Sequence, residues 1–138
     1  MPRSNRTTKM LGDAGEHYAL ARFAFAGIPC AKMPDNWPEY DLVAEVEGKI
    51  QRITVKTRSE TASFSKSSWF AVNADSEWDW KVCLICFATG EVSGWVIPRI
   101  EALTRSTGAK NSHQHLSWRQ LEETDMQKYR ENWDLTHR

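Results

Sequence analysis

The sequence predicts a mixed α/β domain built around a central sheet, and three observations carry that expectation. A helical pattern of apolar residues opens the chain over residues 9–26. Two alternating apolar and polar runs flank Gly48, over residues 40–47 and 50–58. Further β-rich runs follow at 68–73, 81–88 and 90–98, with helical patterns after them. Helix, then strands, then helices is the order of an α/β or α+β sheet domain. A length of 138 residues suits one domain, and 41% hydrophobic residues suffice for a core.

In the first helix, Leu11, Ala14, Tyr18, Ala21 and Phe25 follow three-four spacing, which predicts one apolar stripe. Glu16 falls elsewhere, beside Leu20 and Phe23, so its burial is expected on a helix covered from two sides. Gly27, Ile28 and Pro29 end the helix. Gly12 and Gly15 disfavour it locally, which fits either a close approach of another backbone or a frayed first turn. Residues 1–10, with Arg3, Arg6 and Lys9, are expected to form a flexible basic arm, and residues 11–138 the single domain.

The runs on either side of Gly48 predict a β-hairpin. With Gly48 and Lys49 as a two-residue turn, Glu45 faces Arg52, Val43 faces Thr54 and Asp41 faces Lys56. Opposed side chains share a face and lie about 5 Å apart at Cβ. The other face then carries Leu42, Ala44, Ile53 and Val55 and is apolar. Residues 81–88 and 90–98 are expected to pair through Thr89 and Gly90, and a short helix is expected over 100–105. Ser117 and Gln120 have capping-box spacing. A helical segment with Leu121, Tyr129 and Trp133 follows, broken near Thr124 and Asp125.

Eighteen basic and eighteen acidic residues cancel, which excludes a generic polyanion binder. The charge is nonetheless uneven. Lys49, Arg52, Lys56, Arg58 and Lys66 make the middle basic, while Asp35, Glu39, Asp41, Glu45 and Glu47 cluster before it. No apolar run approaches the roughly 20 residues of a membrane span. The first residues, MPRSNRTTK, lack the apolar stretch of a secretory signal. Three cysteines, an odd count, fit a reducing compartment, so a cytoplasmic protein is expected. Cys83 and Cys86 have CxxC spacing, but three positions apart on a strand they point to opposite faces, and no second pair completes a zinc site.

A carboxylate and a lysine at one sheet edge can cleave a phosphodiester: the carboxylate holds a divalent metal, and the lysine stabilises developing charge. Asp41 and Lys56 present that pair. The same two residues can instead form a plain cross-strand ion pair worth up to about 1 kcal/mol. Of the remaining features, His113 and His115 read as a solvated loop, His17 as a surface residue near the cleft, and the seven tryptophans chiefly as packing.

The stretches GDAGEHYALARF, EYDLV and ITVKT, in this order and spacing, resemble the PD-(D/E)XK nuclease superfamily. GWVIP and SWRQLEE…YRENWDL resemble its small group linked to homing endonucleases. The resemblance implies a restriction-endonuclease-like α/β fold, with a central mixed sheet and helices on both faces. It implies Glu16 and Asp41 at a Mg²⁺ (or Mn²⁺) site, Lys56 as the catalytic lysine, DNA as substrate, and a homodimer or larger homo-oligomer. It also implies a metal-dependent endonuclease of homing or junction-resolvase type. Where the family carries Glu, Asp or Gln two positions before the lysine, this chain has Thr54, a shorter and neutral side chain that suits a water better than a metal. Glu39 is the nearest substitute acid if the strand of Asp41 continues toward it. The departure leaves open an inactive or weak nuclease fold that binds nucleic acid or protein. Arg58 and Lys66, with Arg3, Arg6 and Lys9 from the arm, are the expected phosphate contacts.

Overall fold

The computed structural model describes residues 7–108 and 114–137. Helix α1 (Thr8–Phe25) is followed by strands β1 (Cys30–Lys32), β2 (Leu42–Val46), β3 (Lys49–Ser59), β4 (Trp69–Val72), β5 (Trp80–Cys86) and β6 (Val92–Pro98). Helix α2 (Arg99–Arg105), strand β7 (Gln114–Ser117), helix α3 (Trp118–Leu121) and a 3₁₀ turn (Thr124–Tyr129) complete the order. Five strands form a mixed sheet in the order β1-β2-β3-β5-β6, parallel only between β3 and β5. Strands β4 and β7 form a separate antiparallel pair.

Strands β3 and β5 lie in the interior of the sheet, and β5 is buried on both faces, which explains its near-continuous apolar run. One face carries Leu42, Ile53, Val55, Val82 and Val96 and packs against Ala19 and Phe23 of α1. The other carries Cys83, Ile85, Trp95 and Ile97 and is covered by β4, β7, α2, α3 and the 3₁₀ turn. The sheet is thus flanked on both sides. The exposed edge of β6 is covered by the chain end, where the Glu131 N–H donates to the Gly94 carbonyl and the Gly94 N–H donates to the Glu131 carboxylate at 2.7 Å.

Several expectations need correction. The buried stripe of α1 is Gly15, Ala19 and Phe23, whereas Phe25 is 88% exposed. Gly15 sets the stripe: a Cβ there would stand 1.8 Å from Thr57 Oγ1, so α1 crosses β3 at this glycine. Gly12 meets nothing within 4 Å. The helix begins at Thr8, capped by Thr7, so Lys9 lies in its first turn and not in a free arm. Arg3 and Arg6 lie outside the described residues.

The hairpin turn is Glu47-Gly48, with φ of 52° and 79°. A two-residue turn of this kind needs positive φ at both central residues, and glycine adopts it without strain at the second. The pairing is therefore Val46 with Lys49, Glu45 with Ile50, Val43 with Arg52 and Leu42 with Ile53. This is two residues from the expected register, so Glu45 does not face Arg52, nor Val43 Thr54. A shift of two preserves which face each side chain takes, so the apolar face is as expected.

Strand β1 escapes notice because three residues are too few for alternation. Strand β7 is hidden by its polar composition: His115 lies within it, its ring 5.0 Å from that of Trp69. The other histidine of that pair, His113, is outside the described residues. The β5–β6 hairpin, helix α2 and the Ser117–Gln120 capping box form as the sequence predicts. The C-terminal helical segment is shorter than expected, with α3 ending at Leu121.

Candidate active site

Asp41 sits in the bend just before β2. Its Oδ2 accepts a 2.7 Å hydrogen bond from the Val55 backbone N–H and one of 3.5 Å from Thr54 Oγ1. A charge-assisted bond from a main-chain donor fixes the carboxylate without neutralising it. The register correction matters here: extending the β2–β3 pairing places Asp41 opposite Thr54 and not Lys56. Because the slip is even, Thr54 and Lys56 remain on the face toward Asp41. Thr54 is buried, and Lys56 is exposed.

Two clefts of about 320 Å³ each share Asp41 as a wall. The first also holds Glu16, Asp13, Met33 and Asp35. The second holds Thr54, Lys56, Glu39, Tyr40, Trp78 and Lys81. Helix α1 covers the sheet face opposite to Lys56, yet Glu16 reaches Asp41 because Asp41 stands at the end of a strand. Burial first, and then the negative charge of Asp41, raise the Glu16 carboxyl above the ordinary glutamate range. Lys32 of β1 opposes this with its Nζ 3.3 Å from Glu16 Oε1, while also holding Asp35 at 2.9 Å. Glu39 reaches the second cleft through a bend, with φ of 78°, and not along a continued strand.

The plain ion pair is not formed. Lys56 makes neither a hydrogen bond nor an ion pair with another described residue. Lys81, next to Thr54 across the β3–β5 pairing, is also without such a partner, and its Nζ lies 5.8 Å from the centre of the Trp78 ring. It is 2% exposed, and burial pushes its ammonium down to about 8. Sequence reasoning missed Lys81. Its signal was a lysine inside the apolar run WKVCLIC, on the same strand face as Cys83.

Asp79 is bound to Arg52, through Nε at 3.1 Å and the backbone N–H at 2.7 Å. Burial alone would raise its carboxyl, but these bonds outweigh burial and hold it below the ordinary range. Asp79 therefore locks the entry to β5, away from the cleft. Arg99 donates to the carbonyls of Ser76 and Trp78 at 2.8 and 2.9 Å and to that of Ala74 at 2.8 Å, which holds the Trp78 wall in place.

Among the described residues, no group of three or more His, Cys, Asp or Glu side chains gathers closely enough to hold a metal alone. Magnesium does not demand one, since it keeps several waters and binds through one or two carboxylates plus substrate phosphate. Asp41 and Glu16 meet that requirement. Burial and, after it, the Asp41 charge raise the Glu16 carboxyl, and a divalent cation between the two would offset both. The expected phosphate contacts have partners inside the fold. Arg58 donates to the Trp69 carbonyl at 2.7 Å. Lys66 lies 3.3 Å from Glu122 and 3.9 Å from the centre of the Trp118 ring. Lys9 pairs with Asp13 at 2.9 Å.

No protein-family model matches the chain, and no curated protein matches it. Among solved structures it is similar to a bacterial homing endonuclease, I-Ssp6803I, with 23% identity and a TM-score of 0.64 over 94% of this chain and 90% of that one. It also matches Hjc, a Holliday junction resolvase from Archaeoglobus fulgidus, with 15% identity and a TM-score of 0.49 over 77% of this chain and 83% of that one. With its five-stranded mixed sheet flanked by helices, the chain has the restriction-endonuclease-like fold.

Proposed function

We propose that the chain is a magnesium-dependent DNA endonuclease of homing or junction-resolvase type, acting in the cytoplasm as a homodimer or larger homo-oligomer. The observation that carries this reading is the state of Asp41 and Lys56. They face one cleft, the carboxylate is oriented by a main-chain N–H, and the lysine has no hydrogen-bond or ion-pair partner among the described residues. A structural ion pair would join the two; a site for a phosphate keeps them apart across a cleft. The similarity to a homing endonuclease supports the same reading.

Asp41, with Glu16 beside it, would hold the metal, which supplies Lewis-acid polarisation of the scissile phosphate. Lys56 donates to the charge that develops on the phosphate oxygens. The Val55 N–H holds Asp41 Oδ2 at 2.7 Å, and Thr54 Oγ1 adds a longer contact of 3.5 Å to the same oxygen. Arg58 and Lys66 flank the far end of β3 and are the proposed backbone contacts, together with Lys9 in the first turn of α1 and, from the sequence, Arg3 and Arg6.

Thr54 favours a second reading, a nuclease fold that binds nucleic acid or a protein with little or no cleavage, because a neutral hydroxyl replaces an acid at the metal. Supercoiled, linear and branched DNA, each incubated with Mg²⁺ or Mn²⁺, separate the two. Metal-dependent cutting of any of them supports the enzyme. Binding without cutting under every condition supports the second reading.

A further inference from the structure

The cleft holds a cation that the proposed machinery does not use. Lys81 lies on β5, an interior strand of the sheet, is 2% exposed, and makes no hydrogen bond or ion pair with another described residue. Burying an ammonium without a partner is costly, and interiors ordinarily admit a lysine only when something answers its charge. The Trp78 ring, at 5.8 Å, answers it weakly, and the Asp41 carboxylate acts on it only from beyond ion-pair distance. The Lys81 side chain lies on the cleft face of β5, because its register partner is Thr54, and both residues line the cleft with Asp41 and Lys56. From the bend before β2, across β3 to β5, the cleft floor therefore presents a carboxylate, a hydroxyl and an ammonium, with the second ammonium two residues along β3.

We propose that Lys81 is a second catalytic lysine, which with Lys56 donates to the non-bridging oxygens of a phosphate held in this cleft. The inference rests on the nuclease reading for its chemistry. It also gives a physical reason for Thr54. An acid at that position would stand directly beside Lys81 on the neighbouring strand and, with one oxygen free for a metal, would share the ammonium with the substrate through the other. A threonine keeps Asp41 oriented and leaves Lys81 free. Two unpaired ammoniums facing one cleft repel each other, and an anion between them satisfies both. A neutral ligand would leave both uncompensated, so the site selects a phosphate over an uncharged group.

The test compares the full chain with Lys81→Met and with Lys56→Ala. Cutting of supercoiled plasmid with Mg²⁺ is one readout, and metal-free binding of duplex DNA across a salt series is the other. Lys81→Met is expected to lower cleavage by about 10²–10³-fold, the usual loss for one donor to a developing oxyanion, while melting no lower than the parent. Its log affinity against log salt is expected to flatten by about 0.9, one phosphate contact fewer. Should Lys81→Met fail to fold, Lys81→Gln makes the same comparison with a polar tip of shorter reach. Cleavage equal to the parent's overturns the inference and leaves the nuclease reading standing. If the parent itself does not cut, the nuclease reading falls, and the salt series decides alone. A flattened slope then keeps Lys81 as a phosphate-binding residue, and an unchanged slope overturns it.

Discussion

That Asp41 and Lys56 share one cleft was legible in the sequence, although the register that paired them was wrong. An even slip moves partners along a strand but never across it, so the face survived the error. Lys81 was not legible, because a buried parallel strand lacks the alternation that would mark one residue as facing a cleft. Its burial has a consequence at the residue scale. The Lys81 ammonium is held at about 8 against an ordinary 10.5. Between those values the unfolded chain binds a proton that the folded chain does not, so stability rises with pH across that window and the full penalty is present below it. The penalty is on the order of 3 kcal/mol. Lys81→Met is therefore expected to melt higher than the parent at about pH 7, with the gap narrowing toward pH 10.5; a gap independent of pH would contradict a buried charge. At the same point of the cleft, Thr54→Glu adds a carboxylate between Asp41 and Lys81. Mg²⁺ is expected to raise the melting temperature of that variant more than that of the parent at matched ionic strength. Equal shifts would show that the new carboxylate does not reach the metal.

At the scale of elements, the contact that places Glu16 is the crossing of α1 over β3. The sequence offered Gly12 and Gly15 with no means of choosing between a close approach and a frayed turn. The structure divides them, since only Gly15 has a neighbour in the way of a Cβ. Gly15→Ala is expected to destabilise the protein by about 1–3 kcal/mol through overpacking against Thr57. Gly12→Ala is expected to stabilise it by about 0.5–1 kcal/mol through helix propensity. Urea unfolding of the two variants checks both signs. Thr57→Ala in the Gly15→Ala background should recover most of the loss, because the obstructing hydroxyl is gone; additive losses in the double variant would show that the helix is held elsewhere. Elements set by local chemistry, such as the capping box at Ser117 and the β5–β6 hairpin, could be read directly. Strands β1 and β7 could not, because one is too short and the other too polar to show a pattern, and each exists through its partner strand. That omission hid Lys32, which reaches Glu16 from β1.

For the whole molecule, the order of motifs along the chain carried more than any motif alone, because the fold brings a helix, a bend and a strand to one point at the end of a sheet. Arg58 and Lys66 are tied into the fold, so DNA bound at the proposed contacts would compete with Glu122 for Lys66 and with the Trp69 carbonyl for Arg58. Arg58→Ala with Lys66→Ala is expected to weaken DNA binding and reduce its salt slope by about 2; fluorescence anisotropy across a salt series measures both, and unchanged binding would move the DNA surface elsewhere. The central claim is that Asp41 and Lys56 form a phosphodiester-cleaving pair. The most direct measurement is nicking of supercoiled DNA with Mg²⁺ by the parent, Asp41→Asn and Lys56→Ala, with folding of each checked by circular dichroism. The account predicts Mg²⁺-dependent cutting by the parent and its loss, by about 10²-fold or more, in both folded variants. Cutting that persists in folded Asp41→Asn or folded Lys56→Ala would contradict it.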